Sequence, residues 1–188
     1  MAVTKTEVAT FWNTEGPKRW PNGPMVVDIG EPSCFACGYY AREWDKSSQP
    51  WEVAKSLEMA HIVARSKGGV DTPENLVLLC VGCHEEAPMT NDREVMFRWI
   101  EKRESHFMRT MRVMLRELDI QGVTQEDFIA LDRLRASVRL EGRYEQAFGA
   151  LDPGFHFSRL NRGPIMTEAT QAAVVAKLVR ELKSERLL

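Results

Sequence analysis

Four cysteines fall into two pairs of identical spacing, Cys34 with Cys37 and Cys80 with Cys83. A Cys-x-x-Cys turn presents two thiolates from one backbone knuckle, and two knuckles complete the tetrahedral sulfur shell that zinc prefers. The competing reading, buried reduced thiols or disulfides, needs the same spacing to arise twice by chance. Structural zinc held by Cys34, Cys37, Cys80 and Cys83 is therefore expected. Protein takes all four positions, so such an ion folds a module and leaves no place for a reactant. Cys37 and Cys80 stand 43 positions apart, so the ion clasps a substantial segment and not a short ribbon.

The clasped segment runs from Leu57-Glu58-Met59-Ala60-His61-Ile62-Val63 through Gly68-Gly69 to Glu74-Asn75-Leu76-Val77-Leu78-Leu79 and then Cys83-His84. Leu57 to Val63 is short and apolar enough for a strand, Gly68-Gly69 permits a turn, and Asn75 to Leu79 reads as a second strand. A helix beginning near Cys83 would carry His84 on its first turn. These residues resemble the HNH endonuclease family: His61 in Ala-His-Ile-Val, Asn75 in Glu-Asn-Leu, and His84 directly after the last cysteine. The resemblance spans roughly Pro32 to Pro88 and is to the zinc-bearing branch, in which two knuckles brace a ββα-metal fold. It implies a metal-dependent endonuclease, a phosphodiester hydrolase. His61 would be the general base that takes a proton from water, a role suited to an imidazole. His84 would hold a divalent cation, and Asn75 would tie down the connecting loop and so orient His61.

One position departs from the family pattern. Where many members carry a metal-ligating Asp or His just before the catalytic histidine, this chain has Ala60. Side chains alternate along a strand, so Glu58 shares a face with Ala60 and is the substitute ligand to expect. A carboxylate and one imidazole suit Mg²⁺, Mn²⁺ or another hard divalent ion that keeps waters and phosphate oxygens. Pro88, four positions after His84, offers no further ligand, and Glu85 and Glu86 read as a solvated helix face. Ala60 keeps a second reading open: a catalytically degenerate HNH-like zinc module that binds nucleic acid or a protein partner. His106 and His156 lie outside the cluster and receive no role.

The elements that must position these groups are an α+β module and a mainly α-helical C-terminal extension. The sequence divides into an N-terminal arm (1–27), the zinc-braced module (28–92) and the helical extension (93–188). In the arm, Phe11, Trp12 and Trp20 surround Gly16-Pro17-Lys18-Arg19, and the tryptophans are expected to be buried by packing. From Asp92 to about Leu118 apolar residues recur at helical spacing, and Gly122 is placed to stop that helix. Thr124 with Asp127 resembles a capping box for a helix reaching Phe148. Asp152-Pro153-Gly154 reads as a turn, and a last helix is expected from about Thr167 to Arg186, with Ala172, Val175, Leu178 and Leu182 on one face.

Composition bounds the rest. The 188 residues have 44% hydrophobic and 28% charged residues and a net charge of −2, which excludes collagen, wholesale disorder and a coiled-coil rod. The charge is segregated: residues 28–92 carry five basic against eleven acidic residues, while the flanks are slightly basic. An acidic total therefore does not exclude nucleic acid, since bound cations offset clustered carboxylates and thiolates locally. The resemblance implies double-stranded DNA as substrate, cut to leave a 5′-phosphate and a 3′-hydroxyl. Arg65 and Lys67 are the expected phosphate contacts, joined by Arg93, Arg98, Lys102, Arg103, Arg109 and Arg112 of the extension. Those helix residues interleave with acidic ones at spacings that also make ordinary intrahelical pairs. Symmetry makes a homodimer through the extension a natural way to cut two strands. The longest short apolar run, Leu76 to Val81, is far below the roughly 20 residues of a membrane span. Residues 1–10 lack the apolar core of a signal peptide, so a cytoplasmic protein is expected.

Overall fold

The computed structural model describes residues 2–20, 31–41, 47–135, 140–151, 156–157 and 164–188. The chain forms two compact units, Met1–Phe107 and Met108–Leu188.

The first unit is built around a two-stranded antiparallel sheet, β1 (Leu57–His61) and β2 (Leu76–Cys80), followed by the short helix α4 (Val81–Glu86). This is the ββα arrangement of the sequence reading, and both strands lie within a residue or two of where it placed them. The register pairs Leu57 with Cys80 and His61 with Leu76. Every residue of β2 is buried, which is why it reads as an unbroken apolar run and not as an alternating one.

What covers β2 is the N-terminal segment. Helix α1 (Lys5–Thr14) starts with a capping box in which Thr4 and Glu7 satisfy each other's backbone N–H groups. It buries Val8, Ala9 and Trp12, and the Trp12 indole Nε1 donates to the Leu76 carbonyl at 2.6 Å. After the single turn α2 (Gly16–Arg19), Trp20 stacks on Phe97 at 4.4 Å and donates its Nε1 to Glu101 at 2.6 Å. Phe97 lies on α5 (Arg93–Glu101), whose Met96 and Ile100 also enter this core. Burying both tryptophans, as expected, costs no unpaired indole N–H because each finds an oxygen. Helix α3 (Pro50–Val53) seats Trp51 edge-on against Phe35.

The long helix expected from Asp92 to Leu118 is two helices, α5 and α6 (His106–Ile120). The break is tertiary in origin. The His106 N–H donates to the Cys37 carbonyl at 2.6 Å instead of to a helical carbonyl, and Arg103 turns in to pair with Glu86 and stack over Trp99.

The second unit is helical, with α7 (Gln125–Arg135), α8 (Leu140–Leu151) and α9 (Glu168–Ser184), besides a two-stranded ladder of β3 (His156–Phe157) and β4 (Pro164–Ile165). Gly122 adopts φ +74° and lets Val123 N–H close on the Leu118 carbonyl, the expected stop. Thr124 and Asp127 form the expected capping box. Thr167 caps α9, which buries Ala172, Leu178 and Leu182, while Val175 packs against the same core. The helix expected from Thr124 to Phe148 corresponds to α7 and α8, with residues 136–139 outside the described residues. The turn at 152–154 and the His156 side chain also lie outside them. No helix among the described residues is long and apolar enough to cross a membrane.

Candidate active site and metal centre

The first knuckle is a tight turn fixed by backbone bonds. Cys34 N–H donates to the Tyr39 carbonyl at 2.8 Å and Gly38 N–H to the Cys34 carbonyl at 2.9 Å, with Gly38 at φ +69°, where a side chain is disfavoured. Phe35 N–H donates to the Leu78 carbonyl, which docks the knuckle on β2. The second knuckle is the junction of β2 and α4, with Cys80 at the helix cap and Cys83 inside its first turn. The four sulfurs are buried and lie within 4.8 Å of one another, with Cys37 and Cys80 at 3.8 Å. Tetrahedral zinc with bonds of about 2.3 Å sets its sulfurs about 3.8 Å apart, so the cluster has the dimensions of that site. The thiols share their protons unequally: contact with Cys37, Cys80 and Cys83, with burial added, pushes Cys34 up. Contact with Cys34 and Cys37 draws Cys83 down to about 7. A divalent cation replaces those protons directly.

The second constellation surrounds a cavity of about 360 Å³ at the end of β1, lined by Ala60, His61, Ala64, Arg65, Ser66, His84, Glu85, Ala87, Pro88 and Met89. The structure thus brings His61 and His84 to one cavity, as the sequence reading requires. Ala60 is also there, 2% exposed, and contributes no donor. Helix α4 ends at Glu86, so Pro88 follows it as loop.

Glu58 and His84 meet. The Glu58 Oε2 lies 2.6 Å from His84 Nδ1. The strand places Glu58 next to the helix that carries His84, so the residue chosen by strand alternation is a direct neighbour of the imidazole. Where Glu58 accepts a hydrogen from Nδ1, Nε2 of His84 is left as the free ligating nitrogen, and Glu58, which does not line the cavity, orients that ligand and does not join it as the sequence reading expected.

Asn75 is 4% exposed and spends its amide on the loop between the strands. Its Oδ1 accepts from Val63 N–H at 3.0 Å, and its Nδ2 donates to the carbonyls of Val63 (3.1 Å) and Val70 (3.0 Å). The tie-down expected of it is what the bonds perform. Gly68 takes φ +89°, and a Cβ at Gly69 would sit 1.8 Å from the Val63 carbonyl oxygen, so neither position accepts a side chain.

Sequence reasoning missed Asp71. Its Oδ1 lies 2.7 Å from His61 Nε2, and its Oδ2 pairs with the Arg65 guanidinium. Arg65, then His61, hold the Asp71 carboxyl down at about 2. In sequence, Asp71 is one letter of an Asp-Thr-Pro turn. Only the folded loop shows what it faces.

The basic candidates divide. Arg65 and Lys67 sit on a single 3-10 turn, Arg65–Lys67, beside the cavity, and both are exposed. Arg93 donates to the Glu74 carbonyl and stacks over Phe97, while Arg103 pairs with Glu86. Both side chains are engaged within the fold. Arg98 is exposed on α5, and Lys102 is exposed at its C-terminal cap.

Compared with known proteins, residues 45–87 match the family model for HNH endonucleases, a span that includes His61, Asn75, Cys80, Cys83 and His84. No curated protein and no solved structure gives a significant match to the chain.

Proposed function

We propose, on the premise that residues 45–87 form an HNH endonuclease domain, that the protein is a metal-dependent endonuclease hydrolysing phosphodiester bonds in double-stranded DNA. The observation that carries the reading is the meeting of His61 and His84 at one cavity, with Arg65 on its rim. His61 acts as the general base, taking a proton from the attacking water. Asn75 holds the loop that shapes this side of the cavity. Arg65 and Lys67 receive the backbone phosphates and set the strand over His61. His84 would hold the catalytic divalent cation, Mg²⁺ or Mn²⁺, through Nε2, with Glu58 orienting its ring from Nδ1. When bound, that ion supplies charge neutralisation at the phosphate and the departing oxygen. The cysteine cluster holds structural zinc and keeps β2 and α4 in place.

A supercoiled-plasmid assay tests this. Nicking with Mg²⁺, Mn²⁺ or Ni²⁺ that disappears without metal and in His61→Ala is the expected result. Absence of cleavage with every metal, with DNA still retained, favours the second reading, a catalytically silent module that binds nucleic acid. The buried, donor-free Ala60 is the feature that supports this alternative.

A further inference from the structure

We propose that Asp71 is the positioning residue for His61: its carboxylate accepts the Nε2 hydrogen and leaves Nδ1 as the nitrogen that takes the proton from water. The inference rests on the reading of His61 as general base and deepens it. The 2.7 Å contact between Asp71 Oδ1 and His61 Nε2 is its core. An ionised carboxylate only accepts, so the hydrogen of that bond belongs to the imidazole. The ring then cannot present the wrong tautomer. As it gains a proton, the imidazolium forms beside a negative charge.

The loop is built to deliver this carboxylate. Asn75 grips Val63 on one side and Val70, the immediate neighbour of Asp71, on the other. Gly69 closes the loop so tightly that the Val63 carbonyl occupies the space of a Cβ. Asp71 is therefore presented by a pinned backbone and not by a free surface turn. Its second oxygen is held by Arg65, which keeps the carboxylate ionised and fixes its rotation. A mere surface ion pair with Arg65 would leave Oδ1 to water; here Oδ1 is committed to the ring. The other charged or titratable groups lining the cavity with His61 are Arg65 from the loop and His84 and Glu85 from α4. Asp71, which does not itself line the cavity, is the residue bonded to the His61 ring.

The test uses the full-length, zinc-loaded protein in two arms. In ¹⁵N-histidine NMR, His61 of the wild type shows a hydrogen on Nε2 in a carboxylate hydrogen bond, shifted downfield and slow to exchange. Asp71→Ala loses that signal and Asp71→Glu retains it. In the nicking assay, Asp71→Ala lowers kcat roughly 10- to 100-fold, part of the 10²–10⁴ that a positioned base contributes, with KM within about twofold. Asp71→Glu recovers most of the loss. Asp71 is half exposed, so the substitutions leave the fold intact, and a circular dichroism melt verifies it. A wild-type His61 that carries its hydrogen on Nδ1, or an Asp71→Ala enzyme with kcat within twofold of wild type, overturns the proposal. If the wild type nicks nothing, the nuclease reading falls, and the NMR arm alone decides whether Asp71 fixes the ring.

Discussion

Nδ1 of His84, on α4, lies 2.6 Å from Oε2 of Glu58, on β1, 26 residues earlier in the chain. The two residues belong to different elements, and the contact exists only because β2 returns antiparallel to β1 and hands the chain directly to α4. Ala60 offers no donor and Glu58 does not line the cavity, so on the proposed reading a divalent cation there would rest on His84, with Glu58 orienting its ring.

One imidazole with an orienting carboxylate predicts weak metal binding and a clear division of labour. His84→Ala should abolish measurable Mn²⁺ binding at the cavity, read by Mn²⁺ electron paramagnetic resonance on zinc-loaded protein. Glu58→Gln should weaken it roughly 10- to 100-fold, the usual effect of removing a carboxylate that ligates or orients an imidazole ligand. Mn²⁺ affinity unchanged in Glu58→Gln would mean that the carboxylate serves only the strand.

The cysteine cluster predicts a different response to chelation. One zinc per chain should be found by elemental analysis, and none in Cys83→Ser. Because the knuckles bond to β2 through Phe35 and form the start of α4, metal loss should destabilise the first unit, with a melting temperature lower by about 10 °C or more. A protein that keeps its melting curve after complete zinc removal would show that the aromatic core around Trp12 and Trp20 suffices.

The knuckles, both strands and the positions of His61, Asn75 and His84 were legible because each rests on local chemistry. Ligand spacing, a buried apolar run and glycines at forced turns do not depend on distant parts of the chain. The cap at Thr124 was legible for the same reason. Asp71 was not. Its meaning depends on a loop whose path is set by three bonds from Asn75, and no pattern in Gly-Gly-Val-Asp encodes which ring it will face. The break between α5 and α6 was equally hidden, since residues 101–106 are compatible with a helix until the Cys37 carbonyl captures the His106 N–H.

The loop itself makes a stability prediction separable from catalysis. Asn75→Ala strips partners from the Val63 N–H and from the Val63 and Val70 carbonyls, which should cost about 2–4 kcal/mol. Gly69→Ala forces a Cβ onto the Val63 carbonyl and should cost about 2–3 kcal/mol. The two residues brace the same loop, so the double variant should lose less than the sum of the singles. Strict additivity in urea denaturation would show that they act on separate elements.

Asp127 gives the second unit a pH dependence whose sign follows from its partners. Lys183 Nζ lies 2.7 Å from one carboxylate oxygen and 2.8 Å from the other, and Thr124 N–H donates to Oδ2 at 3.0 Å. The ammonium, then the Thr124 backbone N–H, lower the Asp127 carboxyl below its ordinary 3.8. A carboxyl lowered by folding contributes stability that is present above the unfolded value and is lost as pH falls through the folded one. Between pH 7 and 5 this contribution should therefore be constant, and it should decline below about pH 4. Asp127→Ala should remove it at pH 7, costing about 1 kcal/mol through the lost cap, and should flatten the acid limb. Lys183→Met should shift the same limb while leaving the Thr124 cap intact. The comparison is made by thermal melts at a series of pH values. An acid limb identical in wild type and Asp127→Ala would place the acid sensitivity in other carboxylates.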